Sequence, residues 1–431
     1  ELLQKLQEGR GDEALRGLYA LDGSDASLEK GRERAVRVVR AFEAEFGARP
    51  EAALFSGPGR TEIGGNHTDH QHGRVLCGSV DLDMLACAAP NGTDLVRIQS
   101  EGYPALEVDL RDLKVREEEK NSSPALVRGV AARLAELGCR PAGFDAYVTS
   151  TVLSGSGLSS SAAYEILVAT IIDCFFGGGT LDPVERAKVG QYAENVYFGK
   201  PCGLMDQMGS SVGGAVAIDF ADPAAPVVKK VEYDFTRSGH ALCIVDTGSC
   251  HADLTDDYAD ITREMGAVAA HFGKKFLRDV DEGAFRAALP QLRQECGDRA
   301  VLRTMHFFEE DCRAEQEAQA LEQGDFAAFL ALVDQSGLSS ALNLQNTWSA
   351  AAPQQQAIPV ALAVGRELLG GSGAIRVHGG GFAGTIQAFV PLDILAEFQE
   401  KTEAVLGTGS CHVVTIRPVG SIQIQQEGFY D

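Results

Sequence analysis

One apolar segment constrains the fold of this chain more than any other feature. Almost every residue from Ala162 to Phe176 is apolar. The run is long enough for about four helical turns, and a helix that is apolar on every side has to be buried. A strand pattern, Phe144–Ser150, and a loop rich in glycine and serine precede it. The sequence therefore predicts a strand, a loop and a core helix in succession.

Helical and strand patterns continue on both sides of this unit. Apolar residues from Ala35 to Phe46 fall on one helical face, Gly47 ends that helix, and Asp182 is predicted to cap another. The mixture predicts an α+β fold in two lobes, residues 1–225 and 226–431, divided within the short proline-containing stretch Asp222–Pro226. Other predicted elements are strands at Leu95–Ser100 and Ala241–Asp246, a helix over 301–323 and a closing β segment over 410–424.

The charge balance limits the partners of the chain. The sequence has 38 Lys and Arg against 61 Asp and Glu, a net charge of −23. Such a field repels phosphate backbones, so we expect neither nucleic acid nor an anionic membrane as a partner. The ten cysteines are scattered without a C-x-x-C pair, which predicts a cytoplasmic protein with reduced thiols and no zinc site. An anionic substrate would need local cations and a metal.

The loop before the core helix reads Ser-Gly-Ser-Gly-Leu-Ser-Ser-Ser over residues 154–161. Gly155 and Gly157 permit backbone conformations closed to other residues and let the chain approach a ligand closely. The serines open the helix, where unpaired N–H groups and the helix dipole favour an anion such as phosphate. The loop is not a Walker motif, because no Gly-Lys-Ser/Thr follows. A serine-capped helix after a flexible turn is the alternative interpretation.

Two further segments are rich in glycine. Gly57–Gly73 contains Arg, Glu, Asp, Asn and His side chains, which predicts a turn that binds sugar hydroxyls. A metal site at its histidines (His67, His70 and His72) is less favoured, since catalytic zinc usually takes ligands from a regular element. Arg376–Thr385 has four glycines within six residues. A tight hairpin needs fewer, so we expect a close backbone approach there.

In this order and spacing, the three segments resemble the GHMP kinase family and, within it, the galactokinases. Gly57–Gly73 resembles the signature G-R-x-N-x-I-G-E-H-x-D-Y, and the serine loop is similar to the phosphate loop G-x-G-L-S-S-S-A. Arg376–Thr385 resembles the last motif, and Pro201–Gln207 resembles the galactokinase segment that carries the catalytic aspartate. The resemblance implies an N-terminal α/β ATP-binding lobe, a C-terminal ferredoxin-like lobe and an active site in the cleft between them.

The resemblance also implies a role for each matched residue. Asp206 would lie beside the anomeric hydroxyl of the sugar, with Arg60 as its partner near the transferred phosphoryl group. Glu194 and Ser161 would bind Mg²⁺. The implied ATP-binding residues are Ser100, Gly155, Ser156, Gly157, Leu158, Ser159, Ser160 and Ser161. The implied sugar-binding residues are Asn66, His67, Asp69, Gly203 and Tyr258.

The implied activity is that of a sugar 1-kinase that converts galactose and ATP to galactose 1-phosphate and ADP. Phosphoryl transfer needs positioning and charge neutralisation more than covalent work. An aspartate beside an arginine stays ionised and is ready to orient a hydroxyl, while the guanidinium donates to phosphate oxygens. A non-catalytic sensor of sugar and ATP is an alternative, but it would be expected to have lost part of this catalytic set. We expect sugar and ATP as small-molecule partners, and a monomer or weak homo-oligomer.

The chain departs from the galactokinase signature at the sugar. Asn66 stands where the signature has Glu, and His70 where it has Tyr. In the family, that Glu is expected to hold the 6-hydroxyl of the sugar, so we expect Asn66 beside C6. Plant galacturonokinases resemble this chain in lacking the Glu, and a 6-carboxylate would be repelled by Glu and tolerated by Asn. Galacturonate or another galactose-like sugar is therefore the alternative substrate. Cys250 also stands where many family members have Arg.

Overall fold

The computed structural model describes residues 2–152, 157–200, 202–249 and 254–425. Within these ranges the chain forms an eight-stranded and a four-stranded sheet. The strands of the larger sheet are β1 (Ala53–Gly64), β2 (Arg74–Pro90), β3 (Leu95–Ser100), β4 (Leu106–Asp109), β5 (Phe144–Ser150), β6 (Ala215–Asp219), β7 (Val227–Val231) and β12 (Ile422–Gln423). Those of the smaller sheet are β8 (His240–Asp246), β9 (Ala374–Val377), β10 (Thr385–Pro391) and β11 (Cys411–Val414).

Fourteen α-helices are found in the same ranges. The helices before β8 are α1 (Leu2–Gln7), α2 (Asp12–Tyr19), α3 (Asp25–Phe46), α4 (Ser123–Glu136), α5 (Ser160–Ile172), α6 (Pro183–Tyr192) and α7 (Met205–Val212). The later helices are α8 (Thr255–His271), α9 (Glu282–Ala287), α10 (Leu289–Glu295), α11 (Asp298–Glu322), α12 (Phe326–Ser339), α13 (Ala357–Leu369) and α14 (Leu395–Leu406).

The larger sheet is held together by β2. Its order is β12-β1-β2-β5-β3-β4, and β6 and β7 extend it from β2. The second half of β2 pairs with β5, and its first residues pair with β6. The β3–β5 pairing is parallel and the other pairings are antiparallel. Because β5 leads into the serine loop, this topology brings the loop to the end of a central strand.

Helices cover both faces of this sheet. Ala53 and Phe55 of β1 face α5, whereas Leu54 between them faces α3, as the alternation of a strand requires. The apolar segment predicted to be buried is α5. The window Ser160–Gly177 is long and apolar enough to cross a membrane, but 67% of it is buried inside the protein. It is therefore the core helix that the sequence predicts.

The smaller sheet has the order β11-β8-β10-β9 and is antiparallel. Cys243 and Val245 of β8 face α13 and α14. Leu242 and Ile244 face the other way, into a cluster with Ile63 of the larger sheet and with side chains of α11 and α12. The two lobes therefore share a core, and β1 lies at their junction.

Most of the predicted elements are confirmed, but the chain end is not as expected. β3 and β5 have the predicted bounds, and the Asp182 carboxylate caps α6 by accepting from Val184 N at 2.8 Å. The closing β segment over 410–424 is wrong as one unit, because β11 joins the smaller sheet and β12 returns to the larger one. The boundary at 225/226 stays a prediction, although β7 beyond it still pairs with β6.

Candidate active site

The segment predicted as a sugar-binding turn begins as a strand. β1 continues through the signature to Gly64, and every residue of β1 is buried. Its register against β2 shifts between Pro58 and Arg60 and again between Glu62 and Gly64. Bulges of this kind re-aim side chains next to functional sites. Here they flank Arg60 and Glu62, so the local irregularity of the strand sets where both side chains point.

Arg60 and Asp206 form the centre of the site. Nε and Nη2 of Arg60 lie 2.8 and 2.7 Å from Asp206 Oδ1. The arginine comes from β1 and the aspartate from the first turn of α7. The Arg60 side chain is 7% exposed, whereas that of Asp206 is 35% exposed. The carboxylate therefore has a fixed cation on one side and open space on another.

The protonation states of this pair follow from its surroundings. Burial alone would raise the pKa of Asp206, but Arg60 and the Ser159 hydroxyl outweigh it and lower the pKa below its ordinary value. Burial would likewise lower the pKa of Arg60, but Asp206 and Glu62 raise it. Both groups are therefore charged at neutral pH.

The serine loop meets this ion pair directly. Ser159 is left-handed, with φ 55°, and its hydroxyl donates to Asp206 Oδ2. The Arg60 backbone N–H donates to the Leu158 carbonyl at 3.0 Å, and its guanidinium donates to the Gly157 carbonyl. The loop that is predicted to bind phosphate is therefore held against the two predicted catalytic side chains.

The rest of the predicted phosphate loop opens α5. Ser160 and Ser161 form its first turn, and both residues are half-buried. Gly157 has φ 72°, and a Cβ at this position would lie 3.0 Å from His378 Nδ1. Gly155 and Ser156, also predicted to bind ATP, lie outside the described residues.

Glu194 lies on a π-helical segment, Ala193–Phe198, a feature that is frequent at functional sites. Its Oε2 accepts from Gln207 Nε2 at 2.9 Å, and the same nitrogen donates to Glu165 Oε2 at 3.1 Å. Burial, followed by the neighbouring Glu194, raises the pKa of Glu165 well above its ordinary range. Since Glu165 follows Ser161 by one turn of α5, the helix presents Ser161 on the face near Glu194.

Four of the predicted sugar residues lie in one neighbourhood. Asp69 begins a short 3₁₀ turn, and a Cβ on Gly203 would lie closer than 3.0 Å to Asp69 Oδ2. His67 is left-handed, with φ 58°, and its Nε2 is 2.8 Å from the Gly380 carbonyl oxygen. The Tyr258 ring is stacked on that of His67, with 6.3 Å between ring centroids. Burial raises the pKa of Asp69 above its ordinary value, against the influence of His67.

Asn66 is fully buried, and other protein groups bind both the nitrogen and the oxygen of its side-chain amide. Nδ2 donates to Glu62 Oε1 at 2.8 Å and to the Gly379 carbonyl at 2.7 Å. Oδ1 accepts from Ser340 Oγ at 3.1 Å and from Asn346 Nδ2 at 2.9 Å. A sugar would reach this amide only by displacing one of these bonds. That Asn66 lies beside C6 therefore stays a prediction.

The glycine cluster after Arg376 is approached closely by the protein's own side chains. A Cβ on Gly380 would lie 2.6 Å from the Tyr258 ring, and one on Gly381 would lie 2.6 Å from Asn346 Nδ2. Tyr258 Oη also donates to the Gly381 carbonyl at 3.1 Å. The glycines thus let this turn pack against the side of the predicted sugar site.

Other predicted positions are placed as follows. Ser100 ends β3 opposite Val148 of β5, on the strand next to the one that leads into the serine loop. Of the three histidines weighed as metal ligands, His67 and His70 are neighbours, with 5.7 Å between ring centroids, and His72 lies apart. His67 faces Gly380, whereas the His72 ring is stacked on Phe276 with 3.6 Å between centroids.

Sequence reasoning missed several side chains of the site. Glu165 and Gln207 beside Glu194, and Glu62 and Arg376 beside Asn66, were not singled out. Each lies inside a quoted motif or within four residues of one. Glu62 could have been noticed, because it stands where the signature has Asn. Its pairing with Arg376 could not, because nothing in the sequence connects the two residues.

Comparison with known proteins decides the family. Residues 40–90 match the galactokinase galactose-binding signature, and residues 125–214 match the N-terminal domain of GHMP kinases. The galactokinase of Streptomyces coelicolor is 32% identical over 344 residues, which cover 80% of this chain and 86% of that protein. This chain belongs to the galactokinase family.

Solved structures agree with this galactokinase-family membership at the level of the fold. The structure of Lactococcus lactis galactokinase complexed with galactose has a TM-score of 0.75 at 24% identity, covering 90% of this chain and 99% of that one. A Methanococcus jannaschii mevalonate kinase has a TM-score of 0.58 at 14% identity, covering 86% and 99%. The GHMP kinase fold predicted from the sequence is confirmed.

Proposed function

We propose that this galactokinase-family chain transfers the γ-phosphoryl group of ATP to the anomeric hydroxyl of galactose, giving galactose 1-phosphate and ADP. The observation that carries the proposal is the Arg60–Asp206 ion pair with Ser159 of the serine loop bonded to the same carboxylate. Phosphate-binding and hydroxyl-activating groups thereby meet at one point. A non-catalytic sensor of sugar and ATP would not require this arrangement.

Asp206 orients the attacking hydroxyl. Arg60 binds its Oδ1 and Ser159 its Oδ2, so the carboxylate plane is fixed. Its lowered pKa keeps it ionised and makes it a weak base. Phosphoryl transfer through a loose transition state depends on alignment more than on base strength. Asp206 therefore holds the hydroxyl in line and accepts its proton as the new O–P bond forms, while Arg60 stabilises charge on the phosphoryl oxygens.

The residues present also fit Mg²⁺. The Glu194 carboxylate and the Ser161 hydroxyl are hard oxygen ligands of the kind that Mg²⁺ prefers. Next to Glu194, the buried Glu165 Oε1 and Gln207 Oε1 have no hydrogen-bond partner among the described residues. Among the described residues, no group of three or more His, Cys, Asp or Glu side chains able to hold a metal is found. Mg²⁺ usually takes several of its ligands from water and phosphate. When bound, Mg²⁺ would neutralise charge on the phosphate oxygens.

An ADP-release assay with galactose tests the proposal. Wild-type protein should turn over galactose with MgATP, and Asp206→Asn should lose at least about 10²-fold in kcat, because the amide neither carries the charge nor accepts the proton. Asp219→Asn is the matched control, because Asp219 at the end of β6 is an ion-paired carboxylate whose partners are Arg278 and Arg74. Near wild-type turnover in Asp206→Asn would refute the assignment of Asp206 as the catalytic residue.

Galacturonate is the second candidate substrate. It is favoured by one observation, the uncharged amide at position 66 where the signature has a carboxylate. Assaying both sugars at equal concentrations with the same protein decides between them. A higher kcat/KM for galacturonate would support the same phosphoryl transfer with galacturonate as the preferred substrate.

A further inference from the structure

Positions 62 and 66 carry the residues of the galactokinase signature in exchanged order. The signature has Asn at the first position and Glu at the second, whereas this chain has Glu62 and Asn66. The two side chains touch, since Asn66 Nδ2 donates to Glu62 Oε1 at 2.8 Å. The chain therefore has one carboxylate and one amide at these two positions, in the reverse of the signature's order, and here the two side chains are bonded to each other.

A buried cation completes the pair. Arg376 Nη2 lies 2.6 Å from Glu62 Oε1, and the two side chains are 0% and 4% exposed. The guanidinium also donates to the Ile63 and Val377 carbonyls. Removing one partner of a buried ion pair leaves the other charge uncompensated, which is strongly destabilising. The identity of residue 62 is therefore tied to Arg376 as well as to Asn66.

A third departure belongs to the same packing arrangement. The signature has Ile where this chain has Gly64, and Glu317 Oε2 occupies the place where a Cβ of residue 64 would lie. The Glu317 side chain is fully buried on α11. Gly64 therefore leaves room for a buried carboxylate of α11.

The pair fixes the turn that carries the sugar residues. Asn66 binds the Gly379 carbonyl through its side chain, and the next residue, His67, contacts the Gly380 carbonyl. The Asn66 backbone is held as well, because its N–H donates to Glu310 and its carbonyl accepts from His306 Nε2 at 2.8 Å. Moving Asn66 would shift His67 and the glycine turn together.

We propose that Glu62, Asn66 and Arg376 form a positioning unit for the sugar site, in which the carboxylate and the amide are replaceable only as a pair. The unit acts on the sugar through His67 and the Gly379–Gly380 turn. The expected effect on the galactose KM rests on the proposed function. The expected energetic coupling between residues 62 and 66 is a property of the folded protein and does not depend on the proposed function.

A double-mutant cycle tests the unit. The variants are Glu62→Gln, Asn66→Asp and the two combined, which keep side-chain shape and exchange the carboxylate with the amide. Asn66→Asp alone places two carboxylates within hydrogen-bond distance, and Glu62→Gln alone removes the anion from Arg376. Each should raise the galactose KM about tenfold or more and leave the ATP KM within about twofold. If the two effects were independent, the increase in galactose KM in the double variant would be the product of the two single increases. We expect the increase to be at least about fivefold smaller than that product.

A matched control separates positioning from general destabilisation. Asp145 pairs with Arg97 at 2.7 and 2.8 Å at the start of β5, the strand end opposite the serine loop. Asp145→Asn should lower the unfolding temperature without changing the galactose KM. If the single substitutions at 62 and 66 behave like this control, the positioning role is refuted.

The coupling itself is tested by the unfolding temperatures, measured without substrate, of the wild type, the two single variants at 62 and 66 and the double variant. The double variant should be destabilised less than the sum of the single variants. Purely additive losses in both KM and unfolding temperature would overturn the proposal. If Asn66→Asp does not fold, recovery of folded protein in the double variant supports the unit, and no recovery overturns it. Lack of turnover by wild-type protein with galactose would refute the proposed function and leave the thermal coupling intact.

Discussion

Gly203 offers a test of the sugar site that leaves the central ion pair untouched. A Cβ at this position would lie closer than 3.0 Å to Asp69 Oδ2 and 3.5 Å from its Cγ. The carboxylate would have to move by about half an ångström or more, and a 1 Å misplacement in an active site costs about 10²-fold. We therefore expect Gly203→Ala to raise the galactose KM about 10- to 100-fold. Gly203 is not left-handed, so alanine adds no backbone strain.

Steady-state ADP release, with galactose and then ATP as the varied substrate, measures this effect. The ATP KM should stay within about twofold, because the added methyl group faces Asp69 and not the serine loop. Gly17→Ala in α2 is the matched control, since no atom lies within 4 Å of its added Cβ. Alanine at a helical position stabilises by up to about 1 kcal/mol, so the control should unfold no earlier than wild type. A galactose KM near the wild-type value in Gly203→Ala would refute the assignment of Asp69 to the sugar site.

Three further predictions follow from named groups. Burial lowers the pKa of His306 to about 4, below the value of about 6.5 in an unfolded chain. The unfolded state therefore binds more protons between those values, so the unfolding temperature should fall as pH falls through that window, less steeply in His306→Gln. Glu194→Gln should raise the half-saturating Mg²⁺ concentration about tenfold or more, whereas Glu185→Gln on α6, where the carboxylate is paired with Lys188, should leave it unchanged. If Asn66 lies beside C6, Asn66→Glu should raise the kcat/KM ratio of galactose to galacturonate; an equal loss for both sugars would place the residue away from C6.

Local patterns predicted the elements that depend on neighbouring residues. The bounds of β3 and β5 follow from short apolar runs between turn residues, and the cap of α6 from Asp182 before a proline. The buried position of α5 follows from its composition alone. The sequence also names Arg60, Asp206 and Ser159, because each lies in a segment with a recognisable order of residues, and the structure brings their side chains together. Their roles stay predictions.

Long-range pairings were not predictable in the same way. The bonds from Glu62 to Arg376 and from Asn66 to Asn346 join residues about 300 positions apart, and no local pattern specifies such a partner. The π segment that carries Glu194 follows α6 without a break in its apolar pattern, so the sequence predicts one continuous helix there. The return of β12 to the first sheet depends on where β1 has an open edge, which only the assembled sheet defines.

The arrangement of charge in the cleft explains how so acidic a chain binds an anionic nucleotide. Arg60 is paired with Asp206, and Lys200 Nζ lies 3.7 Å from Glu194 Oε1. Each of these cations therefore already faces a carboxylate, and neither pair adds net positive charge for the phosphates. The N-terminus of α5 contributes N–H donors and the positive end of its dipole, but less than one unit of charge. We therefore expect a divalent ion at Glu194 to supply much of the compensation, and the carboxylates there would then favour ATP binding.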